Sequence, residues 1–178
     1  MKTRQLCYTA LFAALTAVCS QLIIQTPWMV PLSMSTLAVF LSGALLGAKW
    51  GTLAQGVYLL LGLVGAPVFS GMRGGFQVLA GPTGGYLIGY LAAAALTGWL
   101  MARIPARWMA PVAMAVGLAA CYAFGTAWFV LLNHTPLLPA LAKCVLPYLP
   151  GDALKIAAAT LLTARLGALR LAGQAAWA

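Results

Sequence analysis

The sequence contains very little charge and almost no acid. Only 6% of its 178 residues are charged, and Asp152 is the single acidic residue, against ten Lys and Arg. Soluble domains carry about 25% charged residues, so the composition excludes a soluble protein. With 63% hydrophobic residues and a mean hydropathy of +0.98, the sequence predicts an all-α, polytopic membrane protein. The length suits one domain spanning residues 1–178.

The residues that usually carry enzyme chemistry are also scarce. His134 is the only histidine, and no CxxC, HExxH or GxSxG motif occurs. The glycines at 81–85 lack the GK[ST] of a phosphate-binding loop, so this chain is not expected to hydrolyse ATP. We expect no catalytic site, no metal and no cofactor. The scattered cysteines are interpreted as packing residues: Cys7, Cys19, Cys121 and Cys144.

Six apolar segments can be drawn as membrane crossings. A helix needs about 20 residues to cross a hydrocarbon core of about 30 Å, so the second and third segments are short and must be tilted or shielded. The predicted segments are Leu6 to Ile24, Thr36 to Lys49, Gly51 to Val64, Pro82 to Ala102, Met109 to Leu132 and Asp152 to Leu169.

The cations follow this predicted topology. Six crossings place seven of the ten on one side of the bilayer, which predicts that both termini are cytoplasmic. Because the cations are dispersed, the expected partner is the lipid bilayer and not nucleic acid. Arg73, Lys143 and Lys155 fall on the outer side together with Asp152. The cations of the cytoplasmic side are Lys2, Arg4, Lys49, Arg103, Arg107, Arg165 and Arg170.

Small residues recur at four-residue spacing on several segments. Such ridges let helix backbones approach closely in lipid, and packing within the protein explains most of them. The first segment carries a double ridge, in which Ala10 and Ala14 run beside Ala13 and Ala17. This ridge has two interpretations, internal packing or contact with a partner helix.

Two stretches could form a ligand site on the outer side. Residues 65–90 combine two Gly pairs and two separate prolines with Arg73. Lipid cannot satisfy the hydrogen-bonding groups of such irregular backbone, so the stretch is buried in protein, interfacial or beside a cavity. Tyr58, Phe69 and Tyr86 could supply apolar walls.

The second stretch is the beginning of the sixth segment. Pro150-Gly151-Asp152 predicts a turn and a helix N-cap, with Lys155 on the same helix face. Ionisable residues within a span cost about 3 kcal/mol, so they usually face a cavity and have a function. A self-satisfied cap and ion pair is the alternative. Hydroxyls at the start of the second segment could likewise cap the helix or face the cavity: Ser33, Ser35 and Thr36.

Several of these motifs are shared with one family. The sequence resembles the BioY family, the biotin-binding S components of energy-coupling factor (ECF) vitamin transporters, over nearly its whole length. The resemblance is strongest in Gly74-Gly75, in the run from Gly81 to Gly89, and in the GDxxK pattern of Asp152 to Lys155. It implies a six-helix S-component fold with a biotin site near the outer surface, beneath the loops that join helices one to two and three to four.

The resemblance also implies roles for individual residues. It implies that Asp152 and Lys155 contact biotin and brings Gly74, Gly75 and Tyr86 to the site. It implies further that the alanine ridge of helix one, with Ala10, Ala14 and Ala13, meets a transmembrane coupling subunit that two ATPase subunits complete. The family often has Gln where this chain has Ser35, so the roles of Ser35 and Thr36 carry over weakly. We interpret Phe69 to Gly75 as a lid and Gly81 to Tyr86 as the cavity wall.

The predicted function is therefore biotin capture in the cell membrane by the substrate-binding subunit of an ECF transporter. A stand-alone secondary permease for biotin or another small vitamin is the alternative. Only one acid is available for ion coupling, and no inverted repeat is visible, which favours the first interpretation.

Overall fold

A computed structural model describes residues 2–24, 32–104 and 108–167. Within these ranges the chain is helical, apart from one two-stranded hairpin and short turns. The helices are α1 (Lys2–Gln21), α2 (Ser35–Leu63), α3 (Phe76–Ala80), α4 (Gly84–Arg103), α5 (Met109–Asn133), α6 (Leu137–Cys144) and α7 (Leu149–Gly167). Strands β1 (Ile23–Ile24) and β2 (Leu32–Ser33) pair antiparallel and connect the end of α1 to the start of α2.

Helix α2 is a hairpin of two helical arms. At Gly47 the backbone leaves the helix, with φ of 82° and ψ of 176°, a conformation that favours glycine. The arms then fold back on each other, as the close approach of Gly51 to Ser42 shows: a Cβ added to Gly51 would lie 2.7 Å from the carbonyl oxygen of Ser42. The two short segments predicted on either side of Trp50 are therefore the two arms, and each arm shields the other.

A buried polar contact joins the arms to each other and to α1. The Gln55 amide donates from Nε2 to Ser42 Oγ at 2.9 Å and to Thr16 Oγ1 at 3.2 Å. All three side chains are fully buried. In an apolar environment each of these hydrogen bonds replaces one to water, so the contact fixes how α1 sits against the hairpin.

Glycine ridges bring α4 and α5 into close contact, as their spacing predicted. A Cβ on Gly85 would lie 2.2 Å from Trp128 Cβ, and one on Gly125 would lie 2.3 Å from the Tyr86 ring. Cys121 belongs to the same interface and is buried, in agreement with its interpretation as a packing residue. The predicted ridges are thus internal packing surfaces on these two helices.

The structure also contains elements that the sequence did not predict. These are the short helices α3 and α6, in stretches interpreted as loops, and the β1–β2 hairpin, whose first strand replaces the last two residues of the first predicted segment. Within the described residues, three helices are long and apolar enough to cross a membrane: α2, α4 and α5. The chain between the two strands, residues 25–31, lies outside the described residues, as do Arg107 and Arg170.

The two ends of the bundle differ in composition. One end, here called the site end, gathers the end of α1, the β hairpin, the residues between α2 and α4, and the start of α7. Arg73, Asp152 and Lys155 lie there. The opposite end holds the Gly47 turn, and the cations Arg4, Lys49, Arg103 and Arg165 lie on the helix turns nearest to it.

Candidate functional site

A buried ion pair lies at the site end. Lys155 Nζ is 2.7 Å from Asp152 Oδ1, and the two residues are only 5% and 3% exposed. Lys155 also donates to the Ser33 carbonyl at 2.6 Å and to Thr36 Oγ1 at 3.2 Å, so its three N–H groups each have an acceptor. Thr36 donates to Asp152 Oδ1 at 3.3 Å, and Tyr122 donates to Oδ2. We call these four side chains the ionic cluster.

The cluster satisfies every charge that it buries. Removing an ion pair from water costs several kcal/mol per ion, and only good geometry and further hydrogen bonds offset that cost. The two carboxylate oxygens of Asp152 are reached from three helices, α2, α5 and α7. The cluster therefore fixes the start of α7 against α2 and α5.

The predicted N-cap at Asp152 is wrong. Helix α7 begins at Leu149, three residues earlier, and the Asp152 N–H already donates to the Tyr148 carbonyl at 2.9 Å. Asp152 consequently lies in the first helical turn, where a negative charge is favourable. Its carboxylate is free to reach sideways into the bundle because it caps no backbone N–H.

A chain of hydroxyl groups extends from the ionic cluster. Ser33 Oγ lies 2.5 Å from Ser35 Oγ, which lies 2.5 Å from the Tyr90 hydroxyl on α4. Ser35 and Tyr90 are buried. Ser33 joins the two groups, since its carbonyl binds Lys155 and its hydroxyl binds Ser35. The hydroxyls thus connect the ionic cluster to the neighbouring cavity.

A small cavity lies beside these hydroxyls. It holds about 40 Å³, little more than one water molecule. Small-molecule sites usually enclose about 300–1,000 Å³, so a cavity of this volume is too small for such a ligand. Its lining combines hydroxyls, aromatic rings and one guanidinium: Ser33, Phe69, Ser70, Arg73, Val78, Thr83, Tyr86, Leu87 and Tyr90.

A larger cleft opens to the surface on the other side of Arg73. It encloses about 720 Å³ and shares Arg73, Val78 and Thr83 with the small cavity. These three side chains therefore separate the cavity from the cleft. Of these two pockets, Gly74 and Gln77 line the cleft and not the cavity.

The segment from Ala66 to Gly75, here called the lid segment, forms the roof of the cavity. Phe69 and Arg73 pair through two backbone hydrogen bonds, of 2.9 and 3.3 Å, and Arg73 Nε donates to the Ser70 carbonyl at 3.1 Å. The turn between them contains Gly71 and Met72 at positive φ, 75° and 56°. The predicted lid is therefore a compact turn whose exposed tip carries Met72.

Phe69 anchors the lid segment to the core. Its ring is buried and packs edge-on against Tyr58, with ring centroids 5.6 Å apart. A Cβ on Gly62 would lie 2.0 Å from this ring, so glycine at that position makes room for it. Tyr58 lies behind Phe69 and is not among the side chains that line the cavity.

Gly74 and Gly75 serve the backbone of the lid segment. A Cβ on Gly74 would lie 2.3 Å from the Ala66 carbonyl oxygen, and Gly75 has φ of 93° at the start of α3. The Gly75 N–H donates to the Gly62 carbonyl at 2.7 Å. Both glycines are thus explained by chain geometry, and a contact with ligand stays a prediction.

The alanine ridge of α1 divides between two surfaces. Ala10 and Ala14 are exposed, and Leu11 and Val18 on the same side of the helix are exposed too. Ala13 is 2% exposed and packs in the core, so the prediction that it faces a partner is wrong. Helical geometry explains the difference, because the side chains of neighbouring residues such as Ala13 and Ala14 point about 100° apart around the helix axis.

Sequence reasoning missed two residues of this site, Tyr90 and Tyr122, and it named Ser33 as a cap or cavity hydroxyl without its link to Lys155. Tyr90 lies four residues after Tyr86 and so one turn further along α4, which was an available signal. Tyr122 gave no signal, because only the packing of α5 against α7 brings it to Asp152. Among the described residues, no three His, Cys, Asp or Glu side chains are grouped to hold a metal ion.

Comparison with known proteins identifies the family of this chain. The sequence profile of the BioY family matches residues 1–171. The chain belongs to the BioY family. Membership makes it a multi-pass membrane transport protein and not an enzyme, as the sequence predicted.

Individual relatives are similar over almost their full length. The chain is 38% identical to the biotin transporter BioY of Thermotoga maritima, over 94% of this chain and 98% of that one. It is 34% identical to the biotin transporter BioY of Rhizobium etli, over 91% and 92%. A crystal structure of the S component for biotin from an ECF-type ABC transporter superposes with a TM-score of 0.86 at 28% identity, covering 93% of this chain and 91% of that one.

Proposed function

We propose that this protein is the biotin-binding S component of an ECF transporter in the cell membrane. The observation that carries the proposal is the buried Asp152–Lys155 pair, which a chain of hydroxyls connects to a lidded cavity. Relatives described as biotin transporters and as a biotin S component support the choice of ligand.

The side chains match the groups of biotin. The ureido ring offers two N–H donors and a carbonyl, which suit the carboxylate of Asp152 and the ammonium of Lys155. The thioether ring suits the walls formed by Phe69 and Tyr86, and the carboxylated tail suits the Arg73 guanidinium. Ser35 and Thr36 then serve as hydroxyl contacts near the ureido end.

Binding requires the lid segment to move. A cavity of about 40 Å³ cannot hold biotin, and the cleft beyond Arg73 supplies the direction of opening. The members of the ionic cluster satisfy one another within the protein, so internal hydrogen bonds stabilise the buried charges. When biotin enters, its polar groups replace some of these internal partners.

The proposed topology has six crossings with both termini in the cytoplasm. The crossings are α1, the two arms of α2, α4, α5 and α7. The cations Arg4, Lys49, Arg103 and Arg165 mark the cytoplasmic end under the positive-inside rule. The site end then faces outward, where biotin is captured.

The proposed partners are a transmembrane coupling subunit and two ATPase subunits. The exposed alanines Ala10 and Ala14 lie on the side of α1 that no other described element covers, and their small size would admit a close helix contact. Energy from ATP must come from such partners, since the chain has no phosphate-binding loop of its own.

The test is binding by purified protein. Calorimetry should show tight biotin binding without ATP or partners, whereas heat and thermal stabilisation with another vitamin alone would overturn the ligand assignment. A stand-alone permease is tested by uptake in vesicles that contain only this chain, with and without an ion gradient. Gradient-driven uptake would overturn the S-component proposal.

A further inference from the structure

The side chain of Gln21, at the end of α1, forms hydrogen bonds with the backbone of the lid segment. Gln21 Nε2 lies 3.2 Å from the carbonyl oxygen of Val68 and 3.2 Å from that of Phe69. On the other side of the same amide, Oε1 accepts the N–H of Met72 at 2.9 Å. Ser20 adds a hydrogen bond of 2.5 Å to the Val68 carbonyl. Gln21 therefore binds the backbone both before the tip of the turn, at Val68 and Phe69, and at the tip itself, at Met72.

The amide nitrogen of Gln21 also lies close to acceptors on its own helix. Nε2 is 3.3 Å from the Ala17 carbonyl and 3.1 Å from Ser20 Oγ. An amide NH₂ group has two N–H donors, so Nε2 shares them between these acceptors and the two carbonyls of the lid segment. Together with the hydrogen bond from the Met72 N–H to Oε1, this places one side chain between α1 and the lid segment.

The residues that Gln21 binds lie in the same turn as the residues that line the cavity. Phe69, Ser70 and Arg73 line the cavity, while Gln21 binds the backbone of the neighbouring Val68, of Phe69 and of Met72. A lid that swings away from the cavity must therefore break these hydrogen bonds. The tip of the turn has few other ties, since Met72 is 68% exposed and Gly71 is exposed as well.

We propose that Gln21, assisted by Ser20, is the latch of the lid segment: a positioning residue that holds the lid closed and whose release sets the rate of ligand exit. The identity of the ligand rests on the function proposed above. The latch itself does not, because its hydrogen bonds join two parts of the protein.

The first test uses ligand-free protein in detergent. Gln21→Met keeps the length of the side chain but removes its hydrogen bonds, so amide hydrogen exchange at residues 66–75 should accelerate about tenfold. Gln5→Met, near the start of the same helix, is the matched control and should leave these amides unchanged. Unchanged exchange in Gln21→Met would overturn the latch. Ser20→Ala provides a second variant, with a smaller acceleration in the same segment.

The second test measures biotin binding kinetics. Gln21→Met should raise the dissociation rate about tenfold while leaving the association rate equal or faster, since the lid opens more readily. Loss of affinity through slower association alone would contradict a latch and indicate a damaged site. If wild-type protein fails to bind biotin, the proposed ligand is wrong, whereas the exchange experiment still decides the latch.

Discussion

Tyr122 on α5 donates a hydrogen bond to Oδ2 of the Asp152 carboxylate on α7. Lys155 and Thr36 bind the other carboxylate oxygen, Oδ1, so the carboxylate is held from two directions. The orientation of the single acid in the chain is therefore decided by a residue 30 positions away in sequence.

Tyr122→Phe should leave Asp152 Oδ2 without its donor. Because hydrogen bonds to charged groups contribute about 1.5–3 kcal/mol, we expect a similar loss of stability and a roughly tenfold weaker affinity for biotin. Thermal unfolding in detergent and calorimetry measure the two effects. Tyr8→Phe, at the opposite end where Tyr8 stacks with Arg4, should change neither binding nor the ionic cluster. Equal effects of the two substitutions would contradict the role of Tyr122.

Asp152→Asn should weaken biotin binding by about 2 kcal/mol or more, because a charge-assisted hydrogen bond is lost. The substitution also leaves the buried Lys155 charge uncompensated, which destabilises the fold. The double variant Asp152→Asn with Lys155→Met removes that charge and should recover stability without recovering affinity. Wild-type affinity in a folded Asp152→Asn protein would exclude Asp152 as a ligand contact.

Gly62→Ala should displace the lid segment. The new methyl group would lie 2.0 Å from the ring of Phe69, which must leave its place against Tyr58. We expect a biotin affinity at least tenfold lower, measured by calorimetry, together with faster amide exchange in the lid segment. Gly56→Ala is the matched control on the same helical arm, since its Cβ would meet no atom closer than 4.0 Å. Wild-type binding by Gly62→Ala would show that Phe69 can move without consequence.

Bulky substitution of Ala10 or Ala14 should separate binding from transport. Leucine at these exposed positions adds volume on the free side of α1, so biotin affinity and thermal stability should stay unchanged while uptake with the coupling subunits is lost. Ala13→Leu is the contrasting variant, because Ala13 is buried and overpacking there should cost about 1–3 kcal/mol. Full uptake by Ala10→Leu and by Ala14→Leu would place the partner contact elsewhere.

Helix positions could be predicted because lipid imposes strong rules on sequence. All six predicted segments lie within a few residues of observed helices or helical arms. These are α1, the two arms of α2, α4, α5 and α7. The shortness of the second and third segments indicated that they are tilted or shielded, but the turn at Gly47 between them was not predicted. Helix α6 was missed, because a short helix of eight residues can lie at the site end without spanning the bilayer.

Residue chemistry in the sequence singled out Asp152, Lys155 and Arg73, because charge is costly in a membrane span and needs a reason to be there. The sequence also indicated that the irregular stretch after α2 lies near these charges. It could not indicate that Asp152 belongs inside the first turn of α7, because the start of this helix depends on the packing of residues such as Tyr148, which is buried in the core.

Composition and periodicity alone determined that this is an all-helical membrane protein and which residues are candidates for its site. Only the tertiary structure decided how those residues meet: Tyr122 binds Asp152, Ser33 links the ionic cluster to the chain of hydroxyls, and Gln21 binds the lid segment. The physical reason is that burial cost acts on each residue separately and is therefore visible in the sequence. Hydrogen-bond partners from distant helices are chosen by packing, which no local pattern encodes.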